Sequence, residues 1–92
     1  MYTHELKQAV VNALTAVAAV RRVNHLQFWG EQNLYIEAAP PNGDTVTQVD
    51  EALQAVVAAW RGLRPARLRW RVLAAGEAMP ASANLFTRAG AD

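Results

Sequence analysis

The chain contains no cysteine. That excludes a disulfide framework, a thiolate nucleophile and a thiolate metal site, and it suits a reducing compartment. Lysine occurs once among nine basic residues, and the only histidines are His4 and His25. Against eight acidic residues this leaves a net charge of +1, with no global pull toward nucleic acid or anionic lipid. The five glycines, at 30, 43, 62, 76 and 90, are isolated, so no loop is built to cradle a phosphate. Long apolar runs are also missing. Ala9–Val20 is too short to span a bilayer and is interrupted by Asn12 and Thr15. Within it Ala16-Val17-Ala18 imitates a signal-peptidase site, but Glu5 before it and Arg21-Arg22 just after it argue against a leader. A cytoplasmic protein with no membrane contact and no cofactor is expected.

Large apolar anchors are scarce as well. Hydrophobic residues make up 52% of the 92, but alanine dominates them, beside three Trp, two Phe and two Tyr. Residues 1–92 are therefore read as one domain with a thin core, a condition that self-association relieves. Acidic residues are missing between Glu51 and Glu77, where Arg61, Arg64, Arg67, Arg69 and Arg71 all fall.

What is present is organised around Ala66–Val72. Apolar residues and arginines alternate there with the period of a half-buried strand. Ala66, Leu68, Trp70 and Val72 take the core side, and Arg67, Arg69 and Arg71 the other.

Upstream, Thr3 caps a helix predicted at 4–23, with Glu5 in its first turn and Asn24 closing it. Leu6, Val10, Ala13, Leu14, Val17 and Val20 form its apolar stripe. His25–Trp29 and Leu34–Ala38 then read as a hairpin. To place Leu26 and Phe28 on the core side with Leu34 and Ile36, the loop must be Glu31-Gln32-Asn33. Trp29 then faces Tyr35 and Gln27 faces Glu37 on the outer side. A shift of two residues instead pairs His25 with Glu37.

Ala39-Pro40-Pro41-Asn42-Gly43-Asp44 is a loop. Thr45 and Gln48 form a capping box for a second helix at 46–61, whose apolar face is Val49, Leu53, Val56, Val57 and Trp60. Gly62, Leu63 and Pro65 end it. Beyond Ala74 the signal fades. Within 75–92, residues 84–88 are read either as a short last strand or as part of a mobile tail.

The order α-β-β-α-β(-β) predicts an α/β (α+β) two-layer sandwich, with two helices on one face of an antiparallel or mixed sheet. It resembles circularly permuted ferredoxin-like domains of secretion and pilus machinery, a likeness of topology that implies no function. It requires the last strand to fill the vacant place in the sheet.

The face away from the helices then gathers His25, Gln27, Trp29, Asn33, Tyr35, Glu37, Arg67, Arg69 and Arg71. A solvated face is the plainest reading. The favoured functional reading is a small non-enzymatic interaction or assembly domain, homodimeric or bound to another protein. Contact would run through that face, rich in Trp, Tyr and Arg, or through the apolar first helix. The alternative is a single-stranded nucleic-acid-binding module, with bases on Trp29 and Tyr35 and phosphates on Arg67, Arg69 and Arg71. Glu37 and the near-neutral charge weigh against it. An enzyme is the weakest reading: His25 with Glu37 would make a base and its orienter, with no nucleophile near, no third metal ligand and no catalytic residue to name.

Overall fold

The computed structural model describes residues 4–28, 31–59 and 68–88, with the side chain of Phe28 left aside. It is a small α+β domain of two helices and a four-stranded mixed sheet. The expected two-layer composition is present.

Helix α1, His4–Thr15, buries Leu6, Val10 and Leu14 along one stripe. It ends about two turns before the predicted boundary at 23, and strand β1 already runs from Val20 to Phe28. Val20 and Val23 sit three residues apart, a spacing that imitates a helix face. Here it comes from a register irregularity between Val20 and Arg22, which lets both valines face the core at 0% exposure. Asn24 is accordingly a strand residue rather than a helix cap. At the helix end the Thr15 hydroxyl donates back to Val11 O at 2.6 Å, and Val17 N closes a tight turn on Leu14 O at 3.1 Å.

Strand β2, Glu31–Ala38, pairs antiparallel with β1, and Phe28 stands opposite Glu31. The predicted loop Glu31–Asn33 is thus part of the strand, and only residues 29–30 separate the pair. The register differs from the expected one by an odd number of residues, which exchanges the two faces of β1. Val23 pairs with Ile36 and His25 with Leu34, on the core side, while Leu26 pairs with Asn33 on the other. Burial explains the choice: Val23, Leu34 and Ile36 are all at 1% exposure or less, and Leu26 is left half-buried.

Helix α2, Gly43–Ala59, starts a turn earlier than predicted. Its cap is Asn42, whose side-chain Oδ1 accepts from Thr45 N at 2.9 Å while its own carbonyl accepts from Val46 N at 3.0 Å. Val49, Leu53 and Val56 are buried as expected. The predicted stop at Gly62, Leu63 and Pro65 lies outside the described residues.

Strand β3, Leu68–Ala74, lies directly beside β2 and parallel to it, Leu68 opposite Gln32 and Ala74 opposite Ala38. Strand β4, Ala83–Thr87, pairs antiparallel with β1. The sheet order is β3-β2-β1-β4. A last strand therefore exists, but not in the vacant place: a permuted ferredoxin-like sheet puts it between β3 and β2. Those two strands pair with each other over seven positions instead, leaving the outer side of β1 for β4.

This order has a topological consequence. Strands β3 and β4 run the same way at opposite edges, so the connection 75–82 must travel back across the sheet. Asn24, which holds this connection through Ser82, stands opposite Tyr35 on the face away from the helices. The chain reverses at Ala74–Glu77, where Glu77 N donates to Ala74 O at 3.0 Å and Gly76 takes φ +84°, a value only glycine adopts freely. At the far end Ser82 is held by Asn24 of β1. Leu73 is buried at 3% although it alternates with the inward Val72.

Candidate interaction surface

Register alone decides which side chains share the face away from the helices. Three rows cross β1, β2 and β3 there: Arg22, Glu37 and Leu73; Asn24, Tyr35 and Arg71; Leu26, Asn33 and Arg69. Of the residues expected on this face, Asn33, Tyr35, Glu37, Arg69 and Arg71 are brought together. His25 and Gln27 are not: the odd register places them on the helix side, opposite Leu34 and Gln32. Trp29 and Arg67 lie outside the described residues. Arg22 and Asn24 join the face because β1 starts where a helix was expected.

The charges on this face are largely matched. Arg22 Nη2 meets Glu37 Oε2 at 3.3 Å, and with Glu37 only 18% exposed the pair is partly shielded from water. Arg69 Nε meets Glu31 Oε2 at 3.5 Å, but side-chain exposures of 64% and 39% leave that pair little energetic weight. Arg71 is exposed and has no acidic partner among the described residues.

The two sides of the sheet are finished differently. Toward β4, Asn84 Nδ2 donates to Asn24 Oδ1 at 3.0 Å and to Thr87 Oγ1 at 3.1 Å, and Asn24 Nδ2 donates to Ser82 Oγ at 3.1 Å. Just past β4, Arg88 Nε donates to Val20 O at 2.8 Å, and its Nη2 to Thr15 O and Val17 O at 2.9 and 3.0 Å. One guanidinium thus ties together the last carbonyl of α1, the turn after it and the first residue of β1. Its backbone N–H adds a bond to Arg21 O at 2.8 Å. No local spacing announces this role, since it depends on where β4 docks.

Toward β3, no further strand pairs with the sheet among the described residues. Trp70, on the core side, donates its indole N–H to Asp50 Oδ1 of α2 at 2.7 Å. Beside it lies a groove of ≈ 410 Å³ lined, among the described residues, by Gln54, Val57, Ala58 and Trp70. A shallower depression of ≈ 340 Å³ lies along Leu68, Arg69 and Trp70. The α2 positions of the groove fall outside its buried stripe, and periodicity marks only that stripe.

His25 faces the helices, and burial, with a lesser contribution from the Lys7 charge, holds its imidazole below the ordinary value of 6.5. Glu37 is on the opposite face, bound to Arg22, so the base–orienter pair is not assembled. Among the described residues no three of His, Asp and Glu are grouped to hold a metal ion, and no helix is long and apolar enough to cross a membrane. No family model, curated protein or solved structure matches the chain.

Proposed function

We propose that this chain is a small non-enzymatic interaction domain that takes a protein partner on the β3 side of its sheet. One observation carries the reading. Strand β3 pairs with β2 along one side and, among the described residues, with nothing along the other, over seven residues without a bulge. Such an edge presents a row of backbone donors and acceptors, and a second chain pairs with it by adding a strand. The apolar stripe of α1 supports the sheet over the first helix as the contact, because Leu6, Val10 and Leu14 are already used inside the domain.

A protein partner is favoured over nucleic acid by the carboxylates on the same face. Glu37 already engages Arg22 in the middle of the sheet, so a nucleic-acid strand laid across the face would meet that shielded carboxylate, whereas a strand added at the edge would not.

Photo-crosslinking tests this whatever the identity of the partner. A benzophenone amino acid replaces Arg71 at the open edge or Thr87 on β4, in the cell that makes the protein. A discrete protein adduct from position 71 and none from position 87 is expected. Twice the chain mass identifies a homodimer, and any other mass a foreign partner. Failure of position 71 to give an adduct overturns the reading.

A further inference from the structure

We infer that the β3 edge is built for an extended segment of another protein in which acidic and apolar residues alternate. This rests on the interaction reading and names the partner's chemistry. A strand added to an edge sends its side chains alternately to the two faces of the sheet. At β3 those faces differ in kind. On the helix side an incoming side chain meets the groove between α2 and β3, walled by Trp70, Val57 and Ala58. The Trp70 indole is fixed there by its 2.7 Å bond to Asp50, so that wall exists before anything binds. On the other side the incoming chain meets Arg69 and Arg71, both exposed. Arg71 has no acidic partner among the described residues, and Arg69 has only the exposed contact to Glu31. Apolar residues therefore suit the groove side and carboxylates the arginine side.

The same arginines weigh against a second copy as the occupant. Antiparallel pairing of β3 with itself over its full length sets Arg71 opposite Arg71 of the copy. Moving the axis by one residue toward Leu68 sets Arg69 opposite Arg71; moving it toward Ala74 avoids that clash only in a pair shortened to residues 70–74. Like charges directly opposite across a strand pair repel, and opposite charges there attract. The edge thus selects against itself and toward an acidic strand.

The probe is a labelled heptapeptide, Glu-Val-Glu-Leu-Glu-Val-Glu, titrated with the intact chain and followed by fluorescence anisotropy. A second peptide carries Lys in place of every Glu. Saturable binding of the acidic peptide is expected, about tenfold tighter than the basic one. The surface variant R69E/R71E should reverse that preference. Ala58→Phe, which fills the groove from an exposed position, should weaken the acidic peptide about tenfold without changing the preference. Equal binding of the two peptides, no binding, or an unchanged preference in R69E/R71E would overturn the inference. A crosslinked adduct at position 71 without peptide binding would refute the partner chemistry alone; loss of both would refute the interaction reading too.

Discussion

The two edges of this sheet are finished in opposite ways. Strand β4 is five residues long and bulged against β1, and its end is fastened by four hydrogen bonds from Arg88, three of them from the guanidinium. Strand β3 is seven residues long, regular in register and lined by Arg69 and Arg71, with a groove along its helix side. Short length, bulges and covering contacts protect an edge from pairing; a long regular one invites it. On the interaction reading proposed above, charge on β3 leaves the edge usable while making it selective. The edge fastened into the fold and the edge without a further strand among the described residues are therefore different strands.

The comparison can be broken first at Arg88. Arg88→Ala removes three charge-assisted bonds and exposes the end of α1, so a loss of about 2–3 kcal/mol is expected by urea denaturation, with peptide binding at β3 retained. Trp70→Phe keeps an aromatic ring, though a smaller one, and drops the bond to Asp50. It should cost about 1–2 kcal/mol and loosen the groove wall, seen as weaker binding of the acidic peptide. A smaller effect lies at His25, opposite Ala83 at the start of β4. Burial, with a lesser contribution from Lys7, lowers its imidazole pKa in the folded chain, so the unfolded chain binds the proton more readily. Stability is full above the ordinary value of 6.5 and falls as pH drops through it. Unfolding midpoints at about pH 7.5 and about pH 5.5 should differ in the wild type and differ less in His25→Gln. The smallest change is Arg69→Ala. Its pair with Glu31 is exposed, and thermal unfolding should move by no more than about 0.5 kcal/mol.

How far the sequence reaches follows from these same residues. The stripe Leu6, Val10, Leu14, the face Val49, Leu53, Val56 and the alternation Leu68–Val72 all obey one period, and each lands where that period puts it. Three features do not obey one. Val20 and Val23 keep a helical spacing because of a bulge, so the end of α1 and the start of β1 are hidden together. The hairpin register turns on which set fills the core; with β1 taken to start at His25, Val23 does not compete with Leu26 and Phe28. That single displacement carries His25 and Gln27 off the candidate face and brings Arg22 and Asn24 onto it. The position of β4 has no local signal at all, because it is set by β3 already lying against β2. With it come the roles of Arg88 and of the crossing segment, both tertiary in origin. Trp29 and Arg67, the remaining members of the expected face, lie outside the described residues.

Amide hydrogen exchange of the intact chain with and without the acidic heptapeptide tests the central claim most directly. Pairing at the open edge predicts slowed exchange within Leu68–Ala74 at alternate residues, those whose N–H groups do not already bond to β2, with Ala83–Thr87 unchanged. Peptide binding that slows exchange in β4 or α1 and leaves β3 unaltered would contradict it.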